Sequence, residues 1–264
     1  MPKFAANLTM MFTEVPFPER FAAAAKAGFT AVEFLFPYDY PVADVTRWLK
    51  ENKLQSVLFN MPPGNWAAGE RGIAALPGRQ DEFRAGVAKS LEYALSMGTP
   101  TIHAMTGLLP EGADRQAYRS TFVDNLRYAA GELARHGLTL VMEPINTRDM
   151  PGYFLNYQAD AHAIREQVGA ANLKVQMDFY HAQIMEGDLS MTFRKYIEHI
   201  GHTQLASVPA RHEPDEGEVD YRHLFKLLDE LGYSGFVGCE YRPRGKTEDG
   251  LTWLTSLATL DCPR

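Results

Sequence analysis

Four short apolar segments in the second half of the chain decide the fold. Residues 139–143 read TLVME, residues 174–178 read KVQMD, residues 202–206 read HTQLA, and residues 236–240 read FVGCE. Apolar runs of this length are typical of strands buried in a parallel sheet. Each run carries an acid or an amide at or near its end: Glu143, Asp178, Gln204 and Glu240.

Working outward, the same pattern of short strands and longer amphipathic helices covers the whole chain. The predicted strands are Phe4–Leu8, Ala31–Leu35, Gln55–Asn60, Thr101–Met105, Thr139–Glu143, Lys174–Asp178, His202–Ala206 and Phe236–Glu240. The predicted helices are Pro18–Ala27, Val42–Glu51, Asp81–Met97, Arg115–His136, Ala159–Val168, Leu189–His199, Tyr221–Leu231 and Asp249–Thr259. Six glycines follow helical runs, where a left-handed residue can end a helix: Gly28, Gly98, Gly137, Gly169, Gly201 and Gly232.

Polar residues also lie at the ends of the first four predicted strands: Asn7, Glu33, Asn60 and His103. A closed barrel gathers all eight strand ends on one rim, where barrel enzymes carry their chemistry. An open sheet would spread them along a line, and no G-x-G-x-x-G fingerprint of a dinucleotide site follows the first strand. We therefore predict one α/β domain over residues 1–264, a (β/α)8 TIM barrel.

The composition of the chain disfavours two classes of binding partner, nucleic acids and membranes. The net charge of −7 disfavours a nucleic-acid surface, which needs clustered Lys and Arg. No stretch approaches the ~20 apolar residues of a membrane helix, and the first residues lack the apolar core of a signal peptide. Cys239 and Cys262 are too few for a disulfide scaffold. We expect a cytoplasmic protein without membrane or nucleic-acid partners, and a homo-oligomer is compatible with this fold.

One connection is unusually long. Residues 61–80 contain no strand pattern and at most a short helix. Loops of this length in compact domains are commonly binding loops or covers. Trp66 and Ile73 argue against plain disorder, so we expect this loop to cover the substrate.

The acids at the rim predict a metal site. Three carboxylates at one barrel mouth repel each other unless they are protonated or share a cation. With the oxygen of Gln204 they form a set of four oxygen ligands, which suits one Mg²⁺ or Mn²⁺ ion better than Zn²⁺. The metal ligands predicted are Glu143, Asp178, Gln204 and Glu240.

Several motifs together resemble the hydroxypyruvate isomerase family of xylose-isomerase-like barrels. They are EPIN at 143–146, DFYH at 178–181, RHEPDEGEVDY at 211–221 and GCEY at 238–241, with FAANLTMMF at 4–12, FLFPYDY at 34–40 and GNWAAGERGI at 64–73. The resemblance covers nearly the whole chain. It implies the same four metal ligands, with Glu143 and Glu240 also acting as the catalytic acid/base pair. Related sugar epimerases have His where Gln204 stands and Glu where Asp149 stands.

Four further residues are candidates for substrate binding. His181 follows Asp178 by three residues and could donate a hydrogen bond. Arg211 and Arg71 compete for a substrate carboxylate, because a guanidinium pairs with two oxygens at once. His103, on the opposite side of the rim, is expected to shape the pocket.

The function implied is interconversion of hydroxypyruvate and tartronate semialdehyde through an enediolate, with a small hydroxy-carbonyl acid as substrate. A 2-oxo-tetronate isomerase is the alternative within the family, followed by a ketose 3-epimerase. A metal-dependent phosphodiester hydrolase of the same superfamily would need several metals, more rim histidines and a basic face, so the charge disfavours it. A non-catalytic binding protein would need the metal site to be purely structural.

Overall fold

The computed structural model of the protein describes residues 2–257, and within them eight parallel strands close into a barrel in sequence order. The strands are β1 Lys3–Asn7, β2 Ala31–Phe34, β3 Gln55–Asn60, β4 Thr101–His103, β5 Thr139–Met142, β6 Leu173–Asp178, β7 Ile200–Leu205 and β8 Phe236–Cys239. β8 pairs with β1, which closes the ring. The predicted TIM barrel is confirmed, since no dinucleotide-type open sheet has this pairing.

Helices follow every strand. They are α1 Phe17–Lys26, α2 Val42–Glu51, α3 Gln80–Met97, α4 Arg115–Ala134, α5 Gln158–Val168, α6 Phe179–Met185, α7 Leu189–Tyr196, α8 Tyr221–Glu230, α9 Thr247–Gly250 and α10 Trp253–Ser256, with 3-10 turns at Trp66–Ala68 and Ile197–His199. No helix among residues 2–257 combines the length and apolarity that crossing a membrane requires.

Packing explains why these segments take these positions. On α8, Leu224, Leu227 and Leu228 recur at helical spacing and are buried, while Asp220 accepts a hydrogen bond from the backbone N–H of His223 and caps the first turn. This apolar stripe belongs to the main core, which lies between helices and strands. A second, smaller cluster is formed by strand residues: Ala5, Ala31, Val57, Leu58 and Val141.

Side-chain alternation then places the rim residues. Successive strand residues point to opposite faces. Ala6 and Val32 pack in the outer core, so Ala5 and Ala31 point into the barrel. Asn7 and Glu33 follow these two by two positions, and Glu143 follows Val141 in the same way. These polar side chains are therefore directed inward, as the predicted rim requires.

Three local predictions were wrong. The last predicted helix, Asp249–Thr259, is two short helices separated by a turn at Leu251 and Thr252; residues 258–264 lie outside the described part. A helix, α6, begins directly after β6, where none was predicted. Gly201 does not end a helix but lies within β7, where a Cβ would come within 2.7 Å of Lys174 Cβ, so close strand packing explains this glycine.

Candidate active site

The predicted carboxylates lie at the ends of three strands on the barrel rim. Glu143 directly follows β5, Asp178 is the last residue of β6, and Glu240 directly follows β8. All three are buried. One oxygen of Asp178 accepts the backbone N–H of Tyr180 at 2.8 Å and caps α6. This cap orients the side chain and leaves its other oxygen facing the site.

These acids and His181 form a compact group that could hold a metal ion, with candidate ligand atoms within 4.8 Å of one another. We call Glu143, Asp178, His181 and Glu240 the rim cluster. It is the one such group of three or more His, Cys, Asp or Glu residues within 2–257. His181 joins it because α6 begins at once after β6, so its first turn brings Nε2 to 3.6 Å from Asp178 Oδ2.

Within the cluster Glu240 is paired with Arg211, whereas Glu143 and Asp178 have no paired cation among the described residues. Glu143 Oε1 and Asp178 Oδ2 are buried without a hydrogen-bond partner. Burial, followed by repulsion from Glu240 and Asp178, raises the pKa of Glu143 well above its usual value. Burial and repulsion from Glu240 raise the pKa of Asp178 to about 7. A divalent cation coordinated by both unpartnered oxygens would offset the repulsion between the carboxylates. The residues present therefore fit the predicted metal.

His181 has its protonation fixed by its neighbours. The side-chain amide of Asn146 donates to His181 Nδ1 at 2.6 Å, and the backbone N–H of Asn146 points at the same atom at 3.4 Å. Burial lowers the pKa of His181 well below its usual value, so the ring is neutral. With Nδ1 accepting from Asn146, we assign the single proton to Nε2, which lies 3.6 Å from Asp178 Oδ2 and 3.5 Å from the guanidinium donor Arg211 Nη2. This favours the predicted role of hydrogen-bond donor over that of metal ligand.

Arg211 enters the site from the loop after β7. Its Nη2 donates to Glu240 Oε2 at 2.6 Å, and its Nη1 donates to Asp149 Oδ2 at 3.2 Å. The guanidinium also lies over the ring of Tyr180, 4.8 Å from its centroid. The residue has a φ of +59°, a strained conformation for a long side chain. Arg211 is thus held against the rim cluster by two carboxylates and an aromatic face.

A cavity of about 660 Å³ opens above these residues. Its walls include Glu143 and Glu240 from strand ends, His181 from α6 and Arg211 from the loop after β7. Trp66 and Arg71 from the long loop line it as well. The two loop residues lie together, with the Arg71 guanidinium 4.1 Å from the Trp66 ring centroid. The loop therefore forms part of the wall of the cavity.

Comparison with known proteins identifies the family. A family model described as "Xylose isomerase-like TIM barrel" matches residues 21–257. The chain belongs to this family. A 2-oxo-tetronate isomerase of Cupriavidus necator is 57% identical over 254 residues, covering 96% of this chain and 98% of the relative. The hydroxypyruvate isomerase of Escherichia coli is 46% identical, with the same coverage of both chains.

A crystal structure described as AP endonuclease, family 2, from Brucella melitensis is 56% identical and superposes with a TM-score of 0.95, covering 97% of this chain and 99% of that one. The two curated relatives carry isomerase names. They confirm the predicted resemblance and the prediction of an enzyme with isomerase activity.

Within this xylose isomerase-like barrel, Gln204 lies in a hydrogen-bonded layer next to the rim cluster. Its Nε2 donates to Glu33 Oε1 at 2.7 Å, and its Oε1 accepts from Gln176 Nε2 at 2.6 Å. An amide oxygen has two lone pairs, so one remains for a cation. The role of Gln204 as a metal ligand stays a prediction.

His103 is more deeply placed than the other predicted substrate-binding residues. Its Nδ1 donates to Asn60 Oδ1 at 3.2 Å and lies 3.8 Å from Glu143 Oε2. Burial, followed by His202, lowers the pKa of His103 to about 3, so it is neutral. Among the described residues, the cavity walls do not include His103. His103 therefore contacts Glu143 without lining the cavity.

The sequence prediction missed the partners under the rim. Glu33 is fully buried, and its oxygens accept from Asn7 Nδ2 at 2.9 Å, from Gln204 Nε2, and from His202 Nε2 at 2.7 Å. We call Asn7, Glu33, His202 and Gln204 the floor network. A signal for it was present, because His202 lies two positions before Gln204 on β7 and so points to the same face.

Proposed function

We propose that the protein isomerises short 2-oxo-3-hydroxy acids, with a 2-oxo-tetronate as the main substrate and hydroxypyruvate as the second. The observation that carries this is the placement of Glu143 and Glu240 on one cavity with His181 and three arginines. The relative named for 2-oxo-tetronate has 57% identity, against 46% for the one named for hydroxypyruvate. Both acids share a carboxylate, a C2 carbonyl and a C3 hydroxyl, so one site can serve either.

The reaction moves a proton between adjacent carbons. One carboxylate of the Glu143–Glu240 pair takes the proton from C3, which gives an enediolate, and the other returns a proton to C2. The hydroxyl proton passes from O3 to O2, so that C3 becomes the carbonyl carbon and C2 carries the hydroxyl. Because these acids and Asp178 interact strongly, their protonation belongs to the group and not to a single residue. His181 Nε2–H donates a hydrogen bond to a substrate oxygen. Arg211 holds the carboxylate of Glu240 in place.

The cofactor we propose is one Mg²⁺ or Mn²⁺ ion, held by Glu143, Asp178, Gln204 and Glu240. When bound, the ion supplies charge stabilisation for the oxygens of the hydroxy-carbonyl unit. The unpartnered oxygens of Glu143 and Asp178 support this assignment. We further propose a cytoplasmic enzyme, because two cysteines in 264 residues suit a reducing compartment.

Two other activities remain as alternatives. A ketose 3-epimerase would use the same acid pair on an uncharged sugar. A phosphodiester hydrolase is named in the description of the Brucella melitensis structure. Against it stand the net charge of −7 and the single metal-binding group among the described residues.

The test is a comparison of substrates with the Mg²⁺- or Mn²⁺-loaded protein. We expect kcat/KM to be highest for 2-oxo-tetronate, lower for hydroxypyruvate, and at least tenfold lower for C5 and C6 ketoses. In D₂O the product should carry deuterium at C2. Highest turnover of a ketose, or cleavage of abasic DNA with no isomerisation of either acid, would overturn the proposal.

A further inference from the structure

Three arginines line the cavity: Arg71, Arg211 and Arg242. The Arg242 side chain is exposed, and the structure distinguishes the other two by their existing partners. Arg211 is paired with Glu240 and Asp149. These carboxylates and Asp178 raise its pKa against the opposing effect of burial. An incoming carboxylate would meet the negative charge of the same groups that neutralise Arg211. Such repulsion inside a buried site is large, so Arg211 is poorly suited to bind an anion.

Arg71 has no acidic partner among the described residues. Its Nη1 donates to two backbone oxygens, that of Glu70 at 2.7 Å and that of Trp66 at 3.2 Å. Its planar group stacks on the Trp66 ring. The contacts fix the orientation of the guanidinium while its charge stays uncompensated, and the side chain lines the same cavity as Glu143 and Glu240. A fixed, uncompensated guanidinium is a ready site for bidentate carboxylate binding.

The loop around Arg71 is itself anchored. The carboxylate of Glu70 accepts from Arg79 at 2.7 Å and from the backbone N–H of Asn65. Further along, the backbone N–H of Ala75 donates to Thr106 O at 2.8 Å. Gly72 packs so closely on the backbone of Met105 that a Cβ has no room there. The position of Arg71 is therefore built into the fold, and ordering it costs little when substrate binds.

We propose that Arg71, stacked on Trp66, binds the carboxylate of the substrate and makes the enzyme prefer 2-oxo acids over uncharged ketoses of equal length. This rests on the proposed function, and it adds the residue that sets the substrate class. Arg211 then acts on Glu240 and not on the carboxylate. Substrate would be held at one end by the loop and at the other by the rim cluster.

Matched pairs of compounds test the proposal. Hydroxypyruvate and dihydroxyacetone differ only in a carboxylate replaced by a hydroxymethyl group, and so do 2-oxo-tetronate and erythrulose. We expect Arg71→Gln to raise KM for the acids about 10- to 100-fold, since a charge-assisted pair is lost. The kcat should change less than threefold, and the acid preference should fall by the same factor as KM rises. Arg71→Lys should recover part of the loss.

The control is Arg84→Gln, because Arg84 also lies on an aromatic ring, that of Tyr128 at 5.1 Å, but on the outer helices α3 and α4. It should retain the wild-type acid preference, and the thermal melting of all variants should agree within a few degrees. An Arg71→Gln enzyme that keeps its acid preference within twofold, or loses kcat with KM unchanged, would overturn the proposal.

A binding experiment separates this proposal from the proposed function. D-glycerate and glycerol form an unreactive pair with the same difference in charge. Calorimetric titration should show that the wild type binds glycerate at least tenfold more tightly than glycerol and that Arg71→Gln does not. Equal binding of glycerate by both proteins would refute the role of Arg71, even if isomerase assays succeed. Loss of glycerate binding would support it even if both acids proved to be poor substrates.

Discussion

Two groups of buried polar side chains lie next to each other in this barrel, and they differ in how far their charges are satisfied. In the floor network, Glu33 has donors on both oxygens, from Asn7, Gln204 and His202. In the rim cluster, Glu143 and Asp178 each keep a buried oxygen without a partner. All the residues of both groups are buried, with exposed fractions of at most 9%.

The difference teaches which group is structural and which is functional. A buried carboxylate is tolerated when hydrogen bonds replace its water, as they do around Glu33. Buried carboxylates that lack donors and raise each other's pKa are typical of sites completed by a ligand. Asn7 joins the two groups, since its Nδ2 reaches both Glu33 Oε1 and, at 3.4 Å, Glu240 Oε1.

The largest expected effect comes from removing the acid/base groups of the rim. Glu143→Gln and Glu240→Gln should each lower kcat about 10²- to 10⁴-fold, because proton transfer at carbon loses its carboxylate. Initial-rate assays with 2-oxo-tetronate measure this. The surface variant Glu132→Gln on α4, which removes only a contact to Arg135, should keep wild-type kcat. Full turnover by either rim variant in a folded protein would contradict the assignment.

The next effect is on stability, and it should have opposite signs in the two groups. Glu33→Ala leaves three buried donors without an acceptor and should lower the free energy of unfolding by about 3 to 5 kcal/mol. Asp178→Asn keeps the cap on α6 and removes a repelling charge, so the metal-free protein at pH 8 should unfold at higher urea concentration. Urea titrations followed by circular dichroism check both. Equal destabilisation by the two substitutions would remove the distinction drawn here.

The smallest effect is the pH dependence of the metal-free protein. Asp178 titrates near 3.8 when unfolded and at about 7 when folded. Through Asp178 the folded state binds more protons between these values, so the contribution of this residue to stability is fully present below about pH 4 and is lost as pH rises through about 7. Asp178→Asn should flatten this decline. Urea midpoints at several pH values test it; a midpoint that rises over pH 4 to 7 from this group would be the wrong sign.

Much of the fold could be predicted from the sequence, because strand length, helix spacing and terminal glycines agree with each other. Gly98, for example, ends α3 with a φ of +69° as predicted. Helix α6 could not be predicted, since no loop separates it from β6 and its cap is Asp178, the predicted metal ligand. Helix α10 is fixed through Trp253, whose ring centroid lies 5.1 Å from that of Phe4, a long-range contact that no local pattern encodes.

The candidate site was predictable to the extent that it follows strand register. Glu143, Asp178 and Glu240 converge because alternation directs each of them inward at the same end of the barrel. The pairing of Arg211 with Glu240 was not predictable, because it depends on a left-handed backbone in a loop. The protonation of His181 was hidden for a similar reason, since it is set by Asn146 from another strand end.

The central claim is that Glu143, Asp178, Gln204 and Glu240 hold one cation. Titrating Mn²⁺ calorimetrically into chelator-treated protein tests it most directly, with Asp178→Asn as the matched variant. We expect one equivalent to bind the wild type, protons to be released near pH 6, and Asp178→Asn to bind at least tenfold more weakly. Absence of binding, or equal affinity of both proteins for the ion, would contradict the claim.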